Sequence, residues 1–134
     1  MASTCLLDST VIIDAINNRN RRSQLLEGLL AEGILLACCP INVTEISMGM
    51  RPNEAKKTEA FLASLEFYSV TFEAAKYAGE LYREWRQKGV TLALPDLTIA
   101  AVAITNGLQL ATDNPRDFPV SGLRLYPLPR TGVE

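Results

Sequence analysis

Four acidic residues, Asp8, Glu45, Asp96 and Asp113, hold most of this chain's capacity for chemistry, and no histidine stands anywhere in its 134 residues. The missing imidazole removes paired-histidine nuclease chemistry, Ser-His-Asp and Cys-His triads, and His-ligated zinc. If the chain is an enzyme, carboxylates must do the work. Carboxylates gathered within a few ångströms repel one another, and burial favours their protonated forms, so such a group needs compensation. No lysine follows Lys88 to supply it. A divalent cation is the simplest answer. Mg²⁺ or Mn²⁺ takes hard oxygen ligands in octahedral geometry and keeps several waters, one of which can attack a phosphodiester. Taken singly, each acid has a plainer reading: Asp8 and Asp96 as helix caps, Asp113 as a turn residue, Glu45 as a solvated helix residue. Their joint position is what points to a metal.

That position follows from the elements around them. Asp96 comes just after Pro95, in the expected first turn of a helix that is apolar almost all round from Leu97 to Ile104. Asn106-Gly107 ends this helix, Leu108–Ala111 reads as a short inner strand, and Thr112-Asp113-Asn114-Pro115 is a turn. Earlier, Thr4–Leu7 is an inner strand leading directly to Asp8 and a helix over 11–16. A helix around Leu25, Leu26, Leu29 and Leu30 precedes a buried strand at 34–38. Pro40 opens a helix to about Met50 that carries Val43, Ile46 and Met50 on one stripe and Glu45 opposite. Further helices are expected over 54–65 and 73–88, with short strands at 67–70 and 123–126.

Short, continuously apolar strands alternating with helices predict an α/β three-layer sandwich: a central, mostly parallel sheet of four to five strands flanked by helices. Ligands of such sheets sit outside the carboxyl ends of the strands, where Asp8 and Asp113 fall directly and Glu45 and Asp96 fall nearby. The expected organisation is one domain over 1–128 with a loose tail over 129–134. Net charge is −2, so any surface for a polyanion must be local. The three cysteines suit no disulfide framework or Cys-x-x-Cys site, which suggests a reducing cytosol. Neither a signal peptide nor a membrane span is expected.

Taken together, Leu6-Leu7-Asp8-Ser9-Thr10, Asn42-Val43-Thr44-Glu45, Asp96-Leu97-Thr98-Ile99-Ala100-Ala101 and Ala111-Thr112-Asp113-Asn114-Pro115-Arg116-Asp117-Phe118 resemble a PIN domain, and more closely a toxin of the VapC type. The resemblance implies a Mg²⁺- or Mn²⁺-dependent endoribonuclease, a cognate VapB-type antitoxin that blocks the site, and a homodimer. It assigns metal or catalytic roles to Asp8, Glu45, Asp96 and one acid of the last turn, with Asp113 the first choice and Asp117 the second. Asp117 also reads as a turn residue anchored by Phe118. Relatives often carry Asn at the position of Thr10, whose hydroxyl is expected to orient Asp8. Thr112 is expected to support the site, and some relatives place their last acid where Asn114 stands.

RNA phosphates need cations nearby. Arg116 beside the turn is the better single candidate, and Arg19, Arg21 and Arg22 form the densest cluster. Apolar residues of the Leu25–Leu30 and Phe61–Leu65 helices suit either a groove for an antitoxin helix or the core. A catalytically silent RNA- or protein-binding module remains the alternative. A phosphohydrolase would want Asp-x-Asp after the first strand, and a receiver a late lysine; the chain has neither.

Overall fold

The run Thr4–Leu7 is too short and too apolar to sit anywhere but inside, and in the computed structural model, which describes residues 3–129, it forms the central strand β1 of a five-stranded sheet. The chain continues through α1 (Ser9–Ile16), α2 (Arg22–Ala31), β2 (Leu35–Cys38), α3 (Pro40–Gly49), α4 (Ala55–Ala63) and β3 (Glu66–Phe67). It closes with α5 (Phe72–Gln87), α6 (Leu94–Thr105), β4 (Gln109–Ala111) and β5 (Arg124–Tyr126). Single 3₁₀ turns stand at Pro52–Glu54 and Pro115–Asp117. The strand order is β3-β2-β1-β4-β5, and every pairing is parallel.

The period-two alternation of a strand sorts β1 between two cores. Leu6 faces α5 and α6, where Ala74, Ala78 and Leu81 meet Leu97, Ala100, Ala101 and Val102. The alanines of α6 let it lie close to both the sheet and α5. Cys5 and Leu7 face the other way, against Val11, Ile12, Leu26, Leu29 and Ile46 from α1, α2 and α3. The predicted three-layer sandwich is therefore what forms, with element ends shifted by one to three residues. The largest shift is at β3, predicted over 67–70 and observed at Glu66–Phe67 on the exposed sheet edge. Pro129, expected in the loose tail, is tied to the body by its carbonyl, which accepts from Arg22 Nη2 at 2.9 Å, and residues 130–134 of that expectation lie outside the described residues.

From β1 the chain builds outward to β2 and β3, then returns across the sheet to β4 on the other side of β1. Neighbouring strands whose connections depart in opposite directions leave a crevice at their carboxyl ends. Here those strands are β1 and β4, and the residues just past them are Asp8 and Thr112.

Candidate active site

Asp8 stands at the end of β1 and caps α1. Its backbone N–H donates to Ala111 O at 2.9 Å, which pins it to the end of β4. Its Oδ1 accepts from Ser9 N at 2.9 Å, and its Oδ2 accepts from the Thr112 hydroxyl at 2.7 Å. The cap reading of Asp8 and its site reading thus coexist, because a carboxylate has about four lone-pair positions and these two bonds use half. Asp8 is 7% exposed. Burial pushes its carboxyl pKa up, the Thr112 and Ser9 hydrogen bonds pull it down, and the charges of Glu45 and Asp117 add to the rise.

Asp96 lies in the first turn of α6, which starts at Leu94, one residue ahead of Pro95. No side chain caps this helix, so the cap reading of Asp96 falls away. Its carboxyl is pushed up to about 6, first by burial and then by the charges of Asp8, Asp117 and Glu45. Glu45, half-buried on α3, is held by Ser9, whose hydroxyl donates to Oε1 at 2.6 Å. Fully buried Asn42 completes the line: its Oδ1 accepts from Cys39 N at 2.9 Å, and its Nδ2 donates to Ser9 Oγ at 2.9 Å. One turn of α3 separates Asn42 from Glu45, so both reach the start of α1.

Asp113, the first choice for the fourth acid, does not join this group. Its Oδ1 accepts from Arg22 Nη2 at 2.5 Å, the sole ion pair among the described residues. Asp117, exposed on the 3₁₀ turn that follows, is the acid whose charge reaches Asp8 and Asp96. The reason is geometric: the turn points Asp113 back toward α2, and four residues later the chain has come round to the crevice. Arg22 is a correction as well. It was grouped with Arg19 and Arg21 as a substrate-facing cluster, but it is 2% exposed and committed to Asp113 and Pro129 O, while Arg19 and Arg21 are exposed. Asn18, Asn20 and Arg21 all have left-handed φ of 55–56° on the way into α2. Such conformations cost about 1–3 kcal/mol each unless the surroundings fix them. Here Asn20 Nδ2 donates to buried Asp14 Oδ2 at 2.8 Å, and the Arg22 ion pair follows.

Thr10 is exposed and makes no hydrogen bond to Asp8; the hydroxyls that orient the acids are those of Ser9 and Thr112. Asn114 contributes its backbone N–H, which donates to Thr112 Oγ1 at 3.0 Å and turns that hydroxyl's proton toward Asp8. Arg116 is exposed beside Asp117. Sequence reasoning missed Ser9 and Asn42. The spacing of Asn42 three residues before Glu45, on one helix face, was the available signal.

Among the described residues no three acids or cysteines are close enough to share one ion directly. The donor set nonetheless fits a hard divalent cation: it is all carboxylate, the charges of Glu45 and Asp117 add to the raised pKa values of Asp8 and Asp96, and no basic side chain among the described residues pairs with them. Mg²⁺ bound through one or two carboxylates, with waters bridging to the others, requires no tighter cluster.

The comparisons with known proteins agree with this fold. The PIN domain model matches residues 5–120. Ribonuclease VapC19 of Mycobacterium tuberculosis is 30% identical over 115 residues, which are 86% of this chain and 92% of that protein. Ribonuclease VapC2 of Rickettsia felis is 30% identical over 118 residues, 84% of this chain and 88% of that one. Among solved structures, VapBC2 from Rickettsia felis bound to a promoter DNA fragment superposes with a TM-score of 0.80 at 29% identity, covering 92% of this chain and 97% of that chain. A toxin–antitoxin complex from Klebsiella pneumoniae gives 0.73 at 26% identity, covering 89% and 94%. With the sheet order, the acid-lined crevice and these matches in hand, the chain belongs to the PIN domain family and, within it, to the VapC-type ribonucleases.

Proposed function

We propose that this protein is a Mg²⁺- or Mn²⁺-dependent endoribonuclease, the toxin of a VapBC-type pair, with Asp8 and Asp96 as the principal metal ligands and Glu45 and Asp117 completing the site. The observation that carries the reading is the effect of the Glu45 and Asp117 charges on Asp8 and Asp96, with Asp96 pushed up to about 6 and no basic partner on these acids among the described residues. A bound divalent ion supplies an activated water and offsets charge on the phosphate. The chain does the rest. Ser9 N and the Thr112 hydroxyl hold the Asp8 carboxylate in one orientation, leaving its free lone pairs toward the crevice. Asn42 and Ser9 hold Glu45, whose carboxylate would take a proton from the attacking water. Exposed Arg116 is the nearest candidate in sequence for a phosphate contact, and Arg19 and Arg21 offer a second basic patch.

The partners follow the same reading. A groove of about 340 Å³ between α2 and α4, lined by Leu26, Leu30, Leu35, Phe61 and Leu65, suits the apolar face of a VapB-type antitoxin helix. The protein is further proposed to act as a homodimer in the cytoplasm; no helix among the described residues is long and apolar enough to cross a membrane. The test is incubation of a mixed RNA pool with wild type and Asp96→Asn, with Mn²⁺ or EDTA. Cleavage by wild type with Mn²⁺ alone supports the reading. Intact RNA in every lane overturns it in favour of a silent binding module, and cleavage that survives EDTA overturns the metal.

A further inference from the structure

Arg22 and Asp113 lie outside the acid group, yet they are built with unusual care. The guanidinium is 2% exposed, the Asp113 side chain is 15% exposed, and the two are 91 residues apart in sequence. The same guanidinium nitrogen donates to Pro129 O. Arg22 Nε and Asp113 Oδ2 are buried without a hydrogen-bond partner among the described residues, so the ion pair is not there to satisfy every polar atom. The chain reaches Arg22 through three left-handed non-glycine residues. Asp113 in turn directly follows Thr112, which is 5% exposed and donates to Asp8 Oδ2.

We propose that Arg22 and Asp113 form a positioning pair: by clamping the turn after β4 between α2 and the Pro129 segment, they hold the Thr112 hydroxyl on Asp8 and so fix which lone pairs of Asp8 face the crevice. Asp113 on this view is an anchor for the metal site and not one of its ligands. The Asp8 N bond to Ala111 O fixes the chain up to the residue before Thr112, whereas beyond it the bond from Asn114 N to Thr112 Oγ1 is local and would travel with the turn if it moved. Only the Arg22 bond ties Asp113 to another layer of the fold. Its oxygen carries the single hydrogen bond that Asp113's side chain makes, so nothing replaces it when the guanidinium is removed.

This inference rests on the metal-dependent nuclease reading, and the experiment separates the two. Mn²⁺ is titrated calorimetrically into wild type, Arg22→Met, Thr112→Val, the pair Arg22→Met with Asp113→Asn, and the pair Arg22→Met with Thr112→Val; kcat and KM on one RNA are measured alongside. Failure of wild type to bind Mn²⁺ sinks the nuclease reading itself. With wild type binding, the positioning pair predicts a loss of about tenfold to a hundredfold in Mn²⁺ affinity or kcat for the Arg22 and Thr112 variants, the range for residues that orient a ligand. KM for RNA stays within about twofold. Because Arg22 acts through Thr112, adding Thr112→Val to Arg22→Met lowers neither value further. The Arg22→Met, Asp113→Asn variant carries no unpaired buried charge, and so supplies the measurement if Arg22→Met alone does not fold. Arg22→Lys restores part of the loss. Wild-type Mn²⁺ affinity and kcat in the folded, clamp-free variant overturn the proposal, and so does a full additional loss on combining Arg22→Met with Thr112→Val.

Discussion

Two aspartates four residues apart, Asp113 and Asp117, sit on the same short turn and meet opposite electrostatic surroundings. Asp113 has a buried guanidinium on its oxygen. Asp117 has no cation on its side chain among the described residues, and its charge raises the carboxyl pKa values of Asp8 and Asp96. The fold therefore has an arginine with which to neutralise an acid at this edge of the sheet, and it places that arginine on the one carboxylate outside the crevice. A protein selected only for stability would gain by pairing the others as well, since uncompensated carboxylates in partial burial oppose folding. Charge left unbalanced beside charge carefully balanced is what the proposed cation would neutralise.

The sharpest way to break the comparison is to remove one charged side chain from each side. Asp8→Asn is expected to lower RNA cleavage by at least about a hundredfold, because electrostatic stabilisation by a bound cation is worth several kcal/mol. Circular dichroism should show the fold intact. Arg22→Ala is expected to act on the other side, lowering unfolding free energy by about 3–5 kcal/mol in urea titration, since it strands Asp113 as a buried unpaired charge. Asp117→Asn, by contrast, should leave stability within about 0.5 kcal/mol of wild type, as expected for an exposed side chain that makes no hydrogen bond among the described residues.

Ser9→Ala probes how Glu45 is held. It removes the hydroxyl between Asn42 and Glu45 and is expected to cost about tenfold in cleavage, the low end for residues that orient a ligand. A subtler effect lies in pH. Asp96 has a folded-state pKa of about 6 against an ordinary value of 3.8, so between those values the folded chain holds more protons than the unfolded one. Stability from this group therefore falls as pH rises through that window. The melting temperature of metal-free protein should drop between pH 5 and pH 7 by more in wild type than in Asp96→Asn. Mn²⁺ should raise it more at pH 7 than at pH 5.

Much of this was legible beforehand, because it depends on local pattern. Uniformly apolar runs indicated the parallel sheet, and the breaks at Pro40 and Asn106-Gly107 marked helix limits to within a few residues. Placing Asp8 and Asp96 at the crevice needed only the rule that sites form at the carboxyl ends of parallel strands. What the sequence could not reveal was direction within a turn. Whether Asp113 or Asp117 faces the crevice depends on how the 3₁₀ turn at Pro115–Asp117 swings the chain, and on an arginine 91 residues away in sequence. Arg22 misled for a related reason. Three arginines within four positions read as one surface patch, but left-handed backbone at Asn20 and Arg21 turns the third of them inward. Ser9 and Thr10 posed the same difficulty at smaller scale, since adjacent hydroxyls on a helix differ by about 100° in direction and only Ser9 faces Glu45.

The most direct measurement is a crystal of this protein soaked in Mn²⁺ and read by anomalous scattering. The account predicts a peak in the crevice coordinated by Asp8 and Asp96, with Glu45 and Asp117 around it and Asp113 still on Arg22. A peak on Asp113 with the guanidinium of Arg22 displaced, or a crevice that stays without metal at saturating Mn²⁺, would contradict it.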